Sequence, residues 1–432
     1  MISTVRNAWR VEEIRKKLLF MMFMILLYRL GNAVTVPFVD TAMISSHFQG
    51  LNNTILGLMN MMSGGALERA SIFALSIQPY INASIIMQLL AVAIPALERM
   101  RKDGGEEGKK KIEKITRYAT IGIAALQGYA YYVLINQGGG PDSMLAPGAE
   151  GFLPMVSIVV TFMAGSALLM WMGEQITEFG IGNGISVILF VSIVARFPVE
   201  IGTLIINTVE GRTEWWIGAL MMVGALAIIV LIVIVNNAER RIPVQYSKRV
   251  VGRKMYGGQS THLPMKVNMS GVLPVIFAQS IASVPGTIAA FVPDWQDGWF
   301  MRIFDMGSPT YAIIYFLLII FFSYFYSTVQ FNPIEIANNL KKNGGFIPGF
   351  RAGKPTSEFI QKVLTKITLF GALYLAIVAI SPIIVSMFSE QAAATGISLG
   401  GTSIIIVVSV AIETIKQLES QLLMRHYKGF LE

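Results

Sequence analysis

Apolar stretches close to the length needed to cross a lipid bilayer recur along this chain, and they constrain its fold more than any other feature. A helix of about 20 apolar residues spans the hydrocarbon core of a membrane. The stretches lie roughly at 18–37, 72–95, 116–137, 153–173, 184–203, 215–236, 271–292, 309–329, 367–388 and 397–416. Only 14% of the residues are charged, whereas a soluble domain carries about 25%. The sequence therefore predicts an all-α polytopic membrane protein with ten transmembrane helices.

The distribution of Lys and Arg predicts the orientation, because cytoplasmic loops of membrane proteins carry an excess of both residues. With a cytoplasmic N-terminus, 29 of the 34 Lys and Arg residues lie in or beside the cytoplasmic segments. Those segments are 1–17, 96–115, 174–183, 237–270, 330–366 and 417–432. Outside lie only Arg69, Arg196, Arg212 and Arg302, while Arg29 falls within the first stretch. Both termini are therefore predicted to be cytoplasmic.

The ten predicted spans divide into two sets of five. Because five is odd, the second set must enter the membrane from the opposite side, as in inverted halves that meet around a central path. The predicted halves are 18–203 and 204–416, preceded by a cytoplasmic amphipathic segment, 1–17, and followed by a cytoplasmic tail, 417–432.

The two longest cytoplasmic loops are basic. They cover 237–270 and 330–366, and contain "ERRIPVQYSKRVVGRK" and "KKNGGFIPGFRAGK". Contact with anionic lipids explains many of these charges, whereas long loops on one side of a protein more often dock a partner. Both interpretations remain open from the charges alone.

The residue types needed for catalysis are sparse. The chain has no cysteine, and its three histidines, His47, His262 and His426, are far apart in predicted loops. Neither metal-ligand spacing nor a nucleophile motif occurs, so we predict no metal, no cofactor and no enzyme activity. The spans are almost free of charge, which disfavours an ion-coupled carrier. A small-solute transporter and an intramembrane enzyme remain the alternatives to a passive channel.

Two aliphatic pairs have helical spacing. Ile77 and Ile81 are four residues apart, as are Ile185 and Leu189, so each pair occupies one helix face. Spacing alone favours lipid-facing or packing residues for both pairs. The stretch "LGLMNMMSGGALER", residues 56–69, is too short to cross a bilayer and too apolar for a solvated loop.

Several long motifs carry a resemblance to a known family. They are "SGGALERASIF", "YINASIIMQLL", "GEQITEFGIGNGIS", "STHLPMKVNMSGVLPVIFA", "FNPIEIANNLKKNGGFIPGFRAGKPT" and "LGGTSIIIVV". With these motifs the chain resembles the bacterial SecY family, the channel-forming subunits of the Sec protein translocase. The resemblance implies an hourglass pore between two inverted five-helix halves, in the cytoplasmic (inner) membrane. Unfolded secretory polypeptides would cross through the pore, and transmembrane segments would leave sideways into lipid.

The resemblance also implies residues that close the channel. A ring of aliphatic side chains at mid-membrane would consist of Ile77, Ile81, Ile185, Leu189, Ile276 and Ile406. A re-entrant plug half-helix within about 56–69 would seal the pore below the ring. The plug residues would be Gly57, Leu58, Met59, Asn60, Met61, Met62, Ser63, Gly64, Gly65, Ala66 and Leu67.

Partners follow from the same resemblance. Asn82, Gln88 and Ser280 would lie on a lateral gate through which signal sequences and nascent polypeptides reach the membrane lipids. The basic loops would contact the SecA ATPase or a translating ribosome through Arg249, Arg253, Lys254 and Arg351. SecE and SecG are the implied subunits of the complex.

Overall fold

A computed structural model shows a chain that is mostly helical. It describes residues 2–49, 55–102, 104–136, 144–149, 151–211, 214–246, 249–251, 254–256, 260–289, 298, 303–304, 308–388 and 401–428. The helices before the first strand are α1 (Ile2–Arg10), α2 (Glu12–Gly31), α3 (Thr41–Gln49), α4 (Ile55–Met62), α5 (Gln78–Ala93), α6 (Pro95–Lys102), α7 (Gly105–Asn136), α8 (Phe152–Phe179), α9 (Gly184–Val209) and α10 (Trp215–Asn237). The later helices are α11 (Leu273–Ala289), α12 (Pro309–Gln330), α13 (Pro333–Lys342), α14 (Lys354–Phe388) and α15 (Gly401–Lys428).

A helix lies within each of the ten predicted stretches, but the count of ten spans is not confirmed. Among the described residues, seven helices are long and apolar enough to cross a membrane, or eight if α5 and α6 form one bent span. The two that fall short have identifiable reasons. The first, α2, begins with charged residues and holds Arg29 in its last turn, and α11 has only 17 residues, with Pro285 inside it.

The second predicted stretch, 72–95, is helical over a shorter range than the sequence indicated. Residues 72–77 form turns, and α5 begins at Gln78 with a proline in its first turn. After α5 the chain bends by 104° into α6. Pro95 explains the break, because a proline lacks the amide hydrogen that a continuing helix needs.

Side-chain caps define several helix starts. Asn183 accepts hydrogen bonds from the amides of Ile185 and Ser186 at the start of α9. Ser308 accepts one from the Tyr311 amide at the start of α12. Such caps satisfy amides that have no partner within the helix.

The helices pack in two groups that meet along two lines. In the first group α5 contacts α7, α7 contacts α8, and α8 contacts α9. In the second group α11 contacts α12, α12 contacts α14, and α15 contacts α10 and α14. The groups meet where α5 contacts α11 and where α9 contacts α15. A path between the groups is thus bordered by α5, α9, α11 and α15.

The described parts of the two long basic loops form one folded unit (residues within 239–266 and 333–367), which we call the cytoplasmic platform after the side predicted for these loops. Strand β1 (Glu239–Tyr246) pairs antiparallel with both β4 (Ser260–Lys266) and β5 (Gly345–Phe346). Strands β2 (Arg249–Val251) and β3 (Lys254–Tyr256) form a separate hairpin. Under the sheet, an apolar cluster includes Ile242, Met265, Ile347 and Ile360. The sequence did not predict this joining of the loops.

Candidate functional site

The aliphatic side chains predicted to form the ring lie in one apolar cluster at the centre of the helix packing. Five of them are buried members of the cluster: Ile77, Ile81, Leu189, Ile276 and Ile406. The sixth, Ile185, is partly buried and packs against it. Ile77 and Ile185 also approach the same residue, since a Cβ added at Gly173 would lie 3.5 Å from Ile77 Cδ1 and 3.3 Å from Ile185 Cγ1.

Helix α4 places two methionines against that cluster. Met61 and Met62 are 1% and 4% exposed, and Met62 belongs to the cluster itself. Gln279 Nε2, on α11, lies 3.3 Å from Met62 Sδ, and Ser403 Oγ, on α15, lies 3.7 Å from Met61 Sδ. Because α4 also contacts α9, this eight-residue helix touches both groups of helices.

The chain after α4 is held by its own side chains. Asn60 Nδ2 donates to Glu68 Oε2 at 2.7 Å, and the Glu68 amide donates back to Asn60 Oδ1 at 3.1 Å. Ser63 Oγ donates to the Asn60 carbonyl and accepts from the Leu67 amide. These bonds replace the helical ones that end at Met62 and make residues 60–68 a compact turn.

Two tyrosines from neighbouring helices fasten this turn. Tyr28 on α2 donates to the Ser63 carbonyl at 3.1 Å, and its hydroxyl lies 2.6 Å from Ser192 Oγ on α9. Tyr131 on α7 donates to the Leu67 carbonyl at 2.6 Å. Backbone carbonyls that would otherwise be buried without a partner are thereby satisfied, as an apolar surrounding requires.

Two arginines flank the Gly64–Gly65 pair inside this turn. Arg29 donates to the Val191 carbonyl at 2.7 Å, and one of its nitrogens would lie 3.5 Å from a Cβ at Gly64. Arg196 forms an ion pair with Glu68 at 2.9 Å. Gly64 and Gly65 have φ of +70° and +83°, a region that glycine adopts without steric cost.

The predicted plug residues divide between two conformations. Residues 57–62 lie in α4, and residues 63–67 lie in the turn that follows. The half-helix is therefore shorter than the predicted segment 56–69. Asn60, Ser63, Ala66 and Leu67 are buried, and the side chain of Leu58 lies outside the described residues.

The residues predicted for the lateral gate lie on the two helices that meet between the groups. Asn82 and Gln88 are on α5, and Ser280 is on α11. Gln88 donates to Ser84 within its own helix at 3.3 Å, and Asn82 Oδ1 is buried without a hydrogen-bond partner in the described part of the chain. Among these described residues, no hydrogen bond joins Asn82 or Gln88 to Ser280.

The basic residues predicted to contact SecA or a ribosome all belong to the cytoplasmic loops. Arg249 begins β2 and Lys254 begins β3, so both are in the short hairpin. Arg253 lies outside the described residues, and only the sequence locates it between β2 and β3. Arg351 is exposed in the turn before α14, where its carbonyl accepts a hydrogen bond from Thr356 Oγ1 at 2.8 Å.

Sequence reasoning did not assign the residues that hold the turn after α4. These are Tyr28, Tyr131, Ser192 and Arg196; Arg29, which bonds α9, lies close beside the turn. A signal for the two arginines was present, because Arg29 lies within a span and Arg196 lies on the side of the membrane that is poor in basic residues. A cation at such a position needs a local partner.

Metal binding has no support from the arrangement of side chains. Within the described residues, no group of three or more His, Cys, Asp or Glu side chains could hold a metal ion.

Comparisons with known proteins agree with one another. Residues 71–415 match the SecY family. A protein translocase subunit SecY from Streptomyces scabiei is 43% identical over 445 residues, covering 100% of both chains. Two solved structures each cover 94% of this chain and 92% of their own. One, with a TM-score of 0.62 and 16% identity, concerns the plug domain of the SecY protein, which stabilises the closed translocation channel and maintains a membrane seal. The other is Sec61 in the canine ribosome–channel complex, with a TM-score of 0.59 and 15% identity.

Proposed function

The chain belongs to the SecY family, and from this premise we propose that it is the channel-forming subunit of a protein translocase. It is a multi-pass membrane protein that passes unfolded secretory polypeptides across the membrane and releases transmembrane segments sideways into lipid. The driving force comes from SecA or from a translating ribosome. We infer ten spans in two inverted halves around an hourglass pore, with both termini in the cytoplasm and the complex in the cytoplasmic membrane.

The observation that carries the proposal is the contact between α4 and the aliphatic cluster. The cluster provides a narrow apolar constriction, where water and ions lose hydration without gaining ligands, so the constriction can close by dewetting. Aliphatic side chains can still move apart around an extended polypeptide of any sequence. Met61 and Met62 add a removable seal below the constriction, because methionine is flexible and adapts to changing contacts.

The lateral gate is the line where α5 meets α11. Asn82, Gln88 and Ser280 are polar side chains on these helices, and polar side chains in membranes favour helix–helix contact over lipid. A signal sequence that inserts between α5 and α11 offers apolar contact to both helices, and no hydrogen bond of Asn82 or Gln88 to Ser280 has to be broken among the described residues. The chain bends by 104° between α5 and the cytoplasmic α6, so the gate helix α5 has only 16 residues.

The cytoplasmic platform is the docking surface for the partners that drive transport. Arg249 and Lys254 belong to its hairpin, Arg351 lies in the turn before α14, and Arg253 adds a further positive charge to the same loop sequence. Such charge suits both ribosomal RNA phosphates and acidic protein surfaces. SecE and SecG complete the membrane complex. The alternatives are a small-solute transporter and an intramembrane enzyme. For a metal-dependent enzyme, the described residues contain no group of His, Cys, Asp or Glu side chains that could hold the metal.

Deleting residues 57–67 tests the proposal. The deletion removes the seal but leaves the ring and the gate, so we expect SecA-driven transport to continue while the resting channel conducts ions. The measurements are transport of an unfolded secretory protein into reconstituted vesicles and current across a planar bilayer. As a matched control, Met61→Leu with Met62→Leu keeps the buried volume and should stay tight. A tight resting channel after the deletion would contradict the plug, and loss of all transport would contradict its dispensable role.

A further inference from the structure

Arg196 lies between two carboxylates that belong to different parts of the molecule. Its guanidinium pairs with Glu68 of the turn after α4, at 2.9 Å. Glu200 lies four residues further along α9, a spacing that places two side chains on neighbouring positions of one helix face.

Arg196 and Glu200 on α9 each have a polar side-chain atom without a hydrogen-bond partner in the described part of the chain. Among the described residues, Arg196 Nε and Glu200 Oε2 are buried and make no hydrogen bond. The Arg196 side chain is 17% exposed and Glu200 is 9% exposed. Removing the partner of a charge that is largely shielded from water is destabilising, so a second carboxylate near Arg196 favours a state in which Glu68 has left.

The Gly64–Gly65 pair allows Arg196 to approach the turn closely. A Cβ at Gly65 would lie 3.0 Å from a nitrogen of Arg196, and a Cβ at Gly64 would lie 3.0 Å from the Ser192 carbonyl oxygen. A side chain at either glycine would crowd α9, so the close contact between α9 and the turn requires glycine at both positions while the plug is in the pore.

We propose that Arg196 is a positioning residue that exchanges carboxylates when the plug moves. It pairs with Glu68 while the plug is seated, and with Glu200 once Glu68 has left. The exchange requires only rotation of side chains on one helix turn, so the displaced state does not contain a buried unpaired guanidinium. Glu68 thereby stabilises the seated plug, and Glu200 stabilises the displaced plug. This inference rests on the proposed plug function.

The exchange differs in a measurable way from a static ion pair. If Arg196 only supported α9, removing either carboxylate would weaken the structure in the same direction. In the exchange, the two carboxylates favour opposite states, because a group shifts an equilibrium only through its different interaction with each state. Neutralising Glu68 should therefore release the plug, while neutralising Glu200 should retain it.

The absence of native cysteine allows a direct measurement of plug position. In the full complex reconstituted in vesicles, Ala66→Cys places a thiol at a buried plug position that is 1% exposed. Its rate of labelling by a membrane-impermeant thiol reagent, applied at the outer side, reports how often the plug leaves. Glu68→Gln should speed labelling roughly tenfold, which corresponds to about 1.4 kcal/mol. Glu200→Gln should slow it, and the double variant should return toward the parent rate, because both states then lose their partner.

Glu174→Gln is the matched control. Glu174 also pairs with an arginine from another helix, Arg117, at 2.8 Å, but it does not touch the plug, so labelling should not change. If Glu200→Gln folds poorly, Glu200→Met keeps the side-chain length without charge and should give the same slowing. An unchanged or faster labelling rate with the folded Glu200 variant would contradict the exchange of carboxylates. An unchanged labelling rate with Glu68→Gln would contradict the proposal that Glu68 stabilises the seated plug. A tight channel after deletion of 57–67 would instead refute the plug function itself.

Discussion

At the scale of single residues, apolar and charged side chains have separate tasks in this molecule. The residues proposed for the aliphatic ring have the same side-chain chemistry as ordinary packing residues. They differ only in that side chains from separate parts of the chain come together in one cluster. Arg29 and Arg196 are distinguishable earlier, because a cation on the outer side of such a protein is unusual. In the structure Arg29 donates to the Val191 carbonyl on α9, beside Gly64, and Arg196 pairs with Glu68 of the plug region. These two arginines, which lie where Lys and Arg are scarce, thus each have a specific partner in the structure.

Widening the ring should make the resting channel conduct ions. Ile81 and Ile276 are 6% and 4% exposed, and replacing both with glycine removes apolar volume from the constriction. A wider constriction stays wet, so the dewetting barrier falls and planar-bilayer current should rise severalfold. Ile86→Gly is the matched control on the same helix, because Ile86 is 46% exposed. An unchanged current in the Ile81→Gly, Ile276→Gly channel would show that these residues do not form the ring.

At the scale of elements, helix length distinguishes the short helix α4, which we propose moves, from the long helices that form a fixed frame. Helix α4 has eight residues, and isolated helices shorter than about 12 residues are marginal. Its stability therefore comes from contacts with other helices and from the turn that follows. By contrast, α7, α8 and α14 have 32, 28 and 35 residues and form the frame. A short element held by a few replaceable contacts is suited to leave and return.

The frame depends on close approach of the backbone at glycines. A Cβ at Gly165 on α8 would lie 1.9 Å from the Ile72 carbonyl oxygen, in the turns before α5. Gly165→Ala should therefore destabilise the protein by about 1–3 kcal/mol, the usual cost of overpacking. Gly122 on α7 has nothing within 4 Å of the added Cβ, so Gly122→Ala should stabilise it by up to about 1 kcal/mol.

Thermal unfolding of the purified protein in detergent measures both glycine substitutions. The midpoint should fall for Gly165→Ala and should hold or rise for Gly122→Ala. Equal midpoints for the two variants would show that the 72–77 turns can shift away from α8 without loss of stability and do not form part of the frame.

At the scale of the whole molecule, the cytoplasmic platform connects the partner surface to the membrane helices. Strand β4 leads directly into the segment before α11, and the sheet rests on the cytoplasmic part of α14. A further polar chain links Asn268 to Asn236 at 2.9 Å, and Asn236 to Ser409 on α15 at 2.7 Å. A partner that moves the platform therefore acts on helices from the second group.

Reversing the charge of Arg351 should block transport without dismantling the complex. Arg351→Glu replaces attraction with repulsion toward an acidic partner surface, so SecA-driven transport into reconstituted vesicles should fall by at least about tenfold. Co-purification of the other subunits should be unaffected, because Arg351 is exposed and outside the sheet. Lys362→Glu, at an exposed position on α14, is the control and should retain transport. Full transport by Arg351→Glu would remove Arg351 from the partner surface.

Much of the fold could be predicted from the sequence, because a membrane imposes its requirements locally. Each span must be about 20 residues long, apolar, and internally hydrogen-bonded, and these properties are visible in one stretch at a time. A helix therefore lies within each of the ten predicted stretches. The family was recognisable for a similar reason, since its motifs are continuous in the chain. The turns at 72–77 were not predicted, because they depend on the contact of Ile72 with Gly165 on α8.

Only the tertiary structure decided how distant residues act together. The sequence by itself determined the membrane class, the helical stretches, the basic loops and the aliphatic pairs. The joining of the two basic loops in one sheet depends on the pairing of Tyr246 with Gly345, about a hundred residues apart. The same holds for Tyr28 with Ser63 and for Arg196 with Glu68. Partners of this kind leave no periodic signal, because hydrogen bonds and ion pairs are set by positions in space, whereas hydrophobic length is set along the chain.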